Sequence, residues 1–392
     1  MFLTTIAHIT LGLAAIPFIY YLIALYSSWR FFRRPAQASN TPDSDFTPPV
    51  SILKPVRGLD PEAYKNFASF CVQDYPEYEV LFCVDPKDEA VPVLEQLKRD
   101  FPERRIRLLF GSGRNGINDK VARLVRLTNE AQYDFFVITD SDVRVEPGYL
   151  RSVIAPFRNP HVGAATCLYA PTEDRTVLQK LQSVAMISDF FAGIIVAWKL
   201  DGVKFTLGQS IITTRQNIVG FGGYQTLEDR PADDLFIGRL AAEQGLETKL
   251  LPYVVRTVAD FHSLNELLRK RLRWMTVMRY MRPFGHFGLL FTWGLPWSCV
   301  AVAAHPSPPV AFAYLGSYLV LRIAMAWFIG AWGMRQTGLW KRMPLIPVWD
   351  GVAFLIWLAS FTQTTIRWRG VDYFIRQGKL SVRASRTVES TS

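Results

Sequence analysis

The sequence predicts an α/β domain carried between membrane helices. Three observations predict it. The first 28 residues hold no Asp, Glu, Lys or Arg. From Val50 onward, short β-rich apolar runs alternate with helical patterns, which argues a mostly parallel sheet. After Pro283, long apolar runs return.

Phe2 to Tyr26 is long enough to span a bilayer core at about 1.5 Å per residue. No positive charge precedes it and no small-residue cleavage site closes it, so it reads as an uncleaved anchor rather than a signal peptide. Its charges, Arg30, Arg33 and Arg34, follow it and mark the cytosolic side. Residues 29–48 form a linker, polar and Pro-containing. Expected strands are Val50–Leu53, Val80–Val84, Ile106–Phe110, Phe135–Thr139, Val162–Thr166 and Phe205–Thr213. Expected helices are Pro61–Cys71, Glu89–Asp100, Asp119–Ala131, Asp234–Gln244 and Ser263–Met281. Together they make one domain over 49–283.

The membrane part covers 284–366. Phe287–Ala304 is interrupted by Pro296, whereas Val310–Met334 reads as a span despite Arg322. Leu345–Ile366 contains Pro347 and Asp350, and the uninterrupted remainder is short for a span. Three C-terminal spans would carry the basic tail, 367–392, outside, against the positive-inside tendency. Two to three C-terminal helices are therefore expected, one of them re-entrant or interfacial if the tail stays in.

Composition narrows the function. The 392 residues carry 44 Lys+Arg and 34 Asp+Glu, a net charge of +10, with 20% charged and 49% hydrophobic residues. Such apolar content excludes disorder as the main state. The four cysteines, Cys71, Cys83, Cys167 and Cys299, form no CxxC pair and read as reduced thiols. Basic residues gather beside apolar runs, as in 269–273 and 335–342, rather than as a nucleic-acid footprint.

Ligands of such sheets bind beyond the carboxyl ends of strands. Three acidic sites lie there. Asp85 and Asp88 follow one strand, Asp140-Ser141-Asp142 follows another, and Asp233-Asp234 opens a helix. An Asp-x-Asp at a strand end can hold a hard divalent ion on phosphates. The tripeptide alone occurs by chance, and Asp142 also suits a simple turn. Asp233-Asp234 suits either a helix dipole or a general base. Gly111–Gly116 fits GxGxxG, but it follows about the third strand rather than the first, where a dinucleotide fingerprint belongs. A loop bringing Asn118 and Lys120 toward a phosphate is the simpler reading.

Ser263–Met281 carries an N-cap Ser263 with Glu266 three residues on. Lys270 and Arg273 share a face, and Trp274 lies one turn from Lys270. Arg grips diphosphate bidentately and Trp walls a pocket. The alternative is a helix lying on anionic lipid, with Arg269 and Arg271 facing the lipid.

In this order the pieces resemble the processive-type family 2 glycosyltransferase pattern of three Asp sites, (Q/R)xxRW and membrane segments. Within it they are most similar to ceramide glucosyltransferases. The stretches that carry the resemblance are VSILKPVRGLDP (Val50–Pro61), DYPEYEVLFCV (Asp74–Val84), GINDK (Gly116–Lys120), ITDSDVRV (Ile138–Val145), DDLF (Asp233–Phe236), KRLRW (Lys270–Trp274) and WRGVDY (Trp368–Tyr373). The resemblance implies a GT-A fold, a UDP-glucose donor, Mg2+ or Mn2+, and a lipid acceptor, ceramide first, taken from the bilayer. It also implies an integral membrane protein with its catalytic domain on the cytosolic side. Asp88 resembles the family's first Asp, with Asp85 its competitor. Asp140 resembles the second, and Asp142 completes a metal-binding pair. Asp234 resembles the third, the base; Arg273 and Trp274 match the RW pair. Lys120 matches the family's Lys after GxN. Lys270 stands where the family has Gln or Arg, keeping a cation but losing the guanidinium fork. Asp189 with Phe190–Trp198 is either an interfacial floor for the acceptor chain or a core helix. Other readings are transfer to a hopanoid or diacylglycerol, with GlcNAc as a possible sugar, a polysaccharide synthase, and a non-catalytic sugar-nucleotide or lipid sensor.

Overall fold

Two apolar helices, α1 (Phe2–Ala14) and α2 (Ile16–Phe32), open the chain. Pro17 lies in the first turn of α2, where its missing N–H costs no hydrogen bond. The computed structural model describes residues 2–33, 46–111, 118–172, 175–230, 232–258, 263–368, 371–376 and 379–382. The expected loop over 112–117, most of the linker and the far end of the tail lie outside the described residues.

Residues 50 to 257 carry one sheet covered by helices. Strands β1 (Val50–Pro55) and β2 (Tyr78–Val84) are buried along their whole length. Strands walled on both faces read as continuous apolar runs, which is why sequence alone finds them. They are separated by α3 (Ala63–Cys71), and α4 (Val91–Asp100) leads to β3 (Arg105–Phe110). Then come α5 (Asp119–Glu130), β4 (Phe135–Ile138), the short β5 (Val143–Arg144), α6 (Tyr149–Ile154) and β6 (Val162–Pro171). Helices α7 (Val177–Ala185) and α8 (Ala192–Asp201) are joined without a break by a π-helical turn, Met186–Phe191. Strand β7 (Ile211–Thr214), α9 (Arg215–Gly220), α10 (Asp233–Glu243) and β8 (Glu247–Thr257) complete the domain. The sheet order is β3-β2-β1-β4-β7-β6-β8-β5. The first four strands are parallel; β7 runs against both β4 and β6, and β6 is parallel to β8. The sheet is therefore mixed, with a parallel half. Of the expected strand Phe205–Thr213 only the end is extended; the residues before Ile211 form a turn.

Beyond the sheet, α11 (Leu264–Met281) starts at Ser263, whose side chain accepts the Glu266 N–H at 3.2 Å. It leads into α12 (Pro283–Gly288), α13 (Gly294–Ala304), α14 (Pro308–Trp327) and α15 (Leu345–Ser360). Thr5–Phe32, Val177–Asp201 and Pro308–Gly333 are long and apolar enough to cross a membrane, and α12 and α13 form a pair bent by 54°. Val177–Asp201 is mostly covered by the rest of the chain. One buried ion network ties these helices. Arg322 of α14 pairs with Asp350 of α15 (2.6 Å) and with Asp189 of the π turn (2.5 Å). Asp189 also accepts from Trp349 Nε1 at 2.6 Å, and Asp350 from the Tyr318 hydroxyl at 2.8 Å.

Part of the stretch expected as a basic tail is in strands. Strands β9 (Thr365–Trp368), β10 (Val371–Arg376) and β11 (Lys379–Val382) form a separate antiparallel sheet, order β11-β10-β9.

Candidate active site

The site lies beyond the carboxyl ends of β1, β2 and β4. Because β7 runs the other way, the turn before it reaches the same edge. Lys54, fully buried in β1, underlies the cluster. Its Nζ donates to Thr139 Oγ1 (2.8 Å) and to the Asp140 carbonyl (3.0 Å), 3.8 Å over the Phe70 ring. Burial pulls its pKa down to about 7, against Asp142, Asp140 and Asp60. Ser141 donates to Asp60, in the loop after β1. Burial raises the Asp60 carboxyl, with Ser141 opposing and Asp140 adding to the rise. Burial raises Asp142 too, and Asp140 and Asp60 push it further.

The Asp60, Asp140 and Asp142 carboxylates act on one another and offer hard oxygen donors beside Lys54 and Lys120. The residues thus fit Mg2+ or Mn2+ at Asp140 and Asp142. Among the described residues no three His, Cys, Asp or Glu converge on one point. Mg2+ needs only one or two carboxylates and fills its shell from phosphate and water.

The other half of the site faces this one. Asn118 caps α5, its side chain accepting from Val121 N–H. That places Lys120 in the first turn, its Nζ 2.7 Å from Asp140 Oδ1. Burial works against the Lys120 charge, but Asp140, Asp233 and Asp234 outweigh it and raise its pKa. Asp234, in the first turn of α10, accepts from Leu235 N–H and Gly208 N–H, each at 3.0 Å. Burial raises its carboxyl, Asp233 adds to that, and Lys120 opposes. A Cβ on Gly208 would stand 3.2 Å from Asp234 Oδ2, 3.5 Å from Asp140 Oδ2 and 3.6 Å from Lys120 Nζ. Asp234, Asp140 and Lys120 therefore converge on one glycine.

Helix α11 closes the site. Lys270 lies 5.5 Å over the Trp274 ring; burial lowers its pKa while Asp142 opposes, and Arg273 stands close enough to repel it. Trp274 packs 5.7 Å from Phe190, which lies 6.2 Å from Tyr169. Arg271 corrects an expectation: it does not face lipid. It is buried, donates to Gln182 Oε1 at 2.8 and 3.0 Å, and lies between the Trp274 and Trp349 rings. The periodicity that separates it from Lys270 is right, but its face meets α7 rather than a bilayer. Of the two candidates after β2, Asp88 reaches the site, accepting the Gly58 N–H at 2.8 Å and bearing on Asp60. Asp85 stays exposed, accepting from Lys87 N–H in its own turn.

The family model for glycosyl transferase family 21 matches residues 9–381. The chain belongs to glycosyl transferase family 21. This family 21 chain is 24% identical over 268 residues to ceramide glucosyltransferase 3 of Caenorhabditis elegans, covering 68% of this chain and 57% of that protein. It is 33% identical over 175 residues to a ceramide glucosyltransferase of Komagataella phaffii, covering 42% of this chain and 34% of that one. The chain thus spans about half the length of the curated relatives it matches, or less. In fold it is similar to a mannosyltransferase from Pyrobaculum calidifontis in complex with GDP-Man and Mn2+, with a TM-score of 0.59 and 18% identity, covering 90% of this chain and 98% of that one. A GT-A-type catalytic domain in a family of sugar-transferring enzymes is the result.

Four site residues of the family 21 chain escaped sequence reasoning: Lys54, Asp60, Tyr169 and Gly208. Lys54 and Asp60 fall inside VRGLDP and its strand, yet neither sits at the residue just past a strand. Tyr169 lies in β6; burial raises the pKa of its hydroxyl, with Arg271 opposing and Asp234, Asp142 and Asp140 adding to the rise. Gly208 was hidden in an expected strand.

Proposed function

We propose that this family 21 protein transfers glucose from UDP-glucose to the primary hydroxyl of a membrane lipid, ceramide, with inversion. The observation that carries this is the convergence of Asp234, Asp140 and Lys120 on Gly208. It sets a carboxylate base beside the groups that would hold a donor diphosphate.

In this reading Asp140 and Asp142 hold Mg2+ or Mn2+. When bound, the ion supplies charge stabilisation to the leaving UDP. Lys120, Lys270 and Arg273 add fixed positive charge, preorganised where negative charge develops. Asp88 bounds the nucleotide end of the donor site, with Asp85 further out on the rim. Asp234 takes the proton of the lipid hydroxyl. The hydroxyl oxygen bonds to the anomeric carbon as that carbon's bond to UDP breaks on the opposite face. Trp274, Phe190 and Tyr169 form an aromatic wall from the carboxylates to the membrane helices, suited to the acceptor's chain. Positive charge at the end of α2, at Arg30 and Arg33, favours a cytosolic catalytic domain.

The test is transfer of radiolabelled sugar from UDP-glucose and UDP-GlcNAc into a total lipid extract, with purified protein in detergent and Mn2+. Label in ceramide from UDP-glucose supports the reading. Label only in a hopanoid or glycerolipid, or only from UDP-GlcNAc, overturns acceptor or donor. The Asp140→Ala variant should lose Mn2+-dependent UDP binding; unchanged affinity would refute the metal role.

A further inference from the structure

The C-terminal sheet lies beside both catalytic elements. Leu380 is buried with Ile366 and Ile375 against Val277 and Met281 of α11 and against Ala232, the residue before Asp233. The Leu380 N–H donates to the Asp229 carbonyl at 2.6 Å, and Lys379 Nζ lies 2.7 Å from Asp229 Oδ2. Arg279 of α11 donates to the carbonyls of Phe361 and Gln363, where the chain enters β9. The sheet therefore joins the segment leading into α10 to the helix carrying Lys270, Arg273 and Trp274.

We propose that this sheet is a clasp, and that Asp229 and Leu380 are positioning residues for the base Asp234. Met281 of α11 also packs against the cluster that holds Leu227 and Phe236, on either side of this segment, and the sheet adds a backbone hydrogen bond and an ion pair at Asp229 itself. Asp234 sits two residues beyond Ala232, in the first turn of α10, where the path of that segment sets where its carboxylate points. The inference rests on Asp234 as the base.

The physical lever is the apolar pocket of Leu380. A carboxylate put there is left buried and unpaired, which expels the strand. The full-length protein in detergent with Mn2+ is assayed for kcat on ceramide, KM for UDP-glucose, UDP binding and thermal midpoint. With Leu380→Asp, kcat should fall on the order of 10- to 100-fold while donor KM stays within about twofold, because a catalytic group misplaced by about 1 Å loses rate rather than donor affinity. Lys379→Asp should lose rate in the same sense but less, by like-charge repulsion with Asp229. Combining it with Asp229→Lys should restore most of the loss, since the swap rebuilds the pair. These surface variants decide the matter if Leu380→Asp does not fold. Equal kcat in a folded Leu380→Asp, or a double swap no better than either single, overturns the clasp. An active wild type with such variants removes the clasp alone. A wild type that labels no lipid removes the base assignment and the clasp together.

Discussion

At the residue scale, Gly208 is where the chemistry is most constrained. Its N–H holds Asp234 Oδ2, and its missing side chain leaves room for Asp140 and Lys120. Gly208→Ala should therefore keep its thermal midpoint and lose kcat by on the order of 10- to 100-fold, since the displaced groups are catalytic rather than structural. Steady-state kinetics beside a thermal melt would check this; an unchanged kcat would show that the groups relax freely. Asp234→Asn should cost about 100- to 10,000-fold in transfer while UDP binding survives, the range a general base contributes. The pH profile follows from the raised Asp234 carboxyl. A base works unprotonated, and a raised pKa keeps it protonated to higher pH. The acid limb of kcat should thus lie above the ordinary carboxylate range, with rate climbing as pH rises through it. A rate flat from pH 5 to 8, with the protein folded throughout, would refute the assignment.

At the element scale, the network around Arg322 joins α14 and α15 to the π turn that carries Asp189. Arg322→Met leaves Asp350 and Asp189 facing each other with no cation. It should cost about 3–5 kcal/mol, as removal of one partner of a buried pair does. A midpoint in detergent close to wild type would show the network to be dispensable. Which elements were legible follows from their burial. Strands β1, β2 and β4 are walled on both faces, so they read as apolar runs ending in Asp. Strand β8 mixes buried and exposed positions and contains Pro252, so it gave no such signal. Helix α11 was legible in its cap and its faces, but not in what covers Arg271, because the Gln182 that holds it is 89 residues away. Asp60 was illegible for a related reason: it meets Ser141 only across the fold, 81 residues on. The C-terminal strands are short and basic, and their apolar residues look like scattered positions until α11 is seen beneath them.

At the scale of the whole molecule, the same small sheet bears on how the chain is threaded. It leaves the catalytic domain at Met281 and is back against α11 by Ile366. The number of complete crossings between them is therefore even. We infer that, with α14 crossing, one of α15 and the bent α12–α13 pair crosses with it and the other turns back. Strands β9–β11 then stay on the side of the catalytic domain. In sealed vesicles, a tag after Ser392 and an epitope in the catalytic domain should become accessible together; opposite exposure would refute this threading. Arg322 adds a constraint in time. Its partners lie 133 residues behind it and 28 ahead. During synthesis, Asp189 is made well before Arg322 and Asp350 only after it, and a lone arginine in lipid is costly. Asp189 thus offers α14 an acidic partner ahead of Asp350, and we expect the seating of α14 to depend on a folded α/β domain.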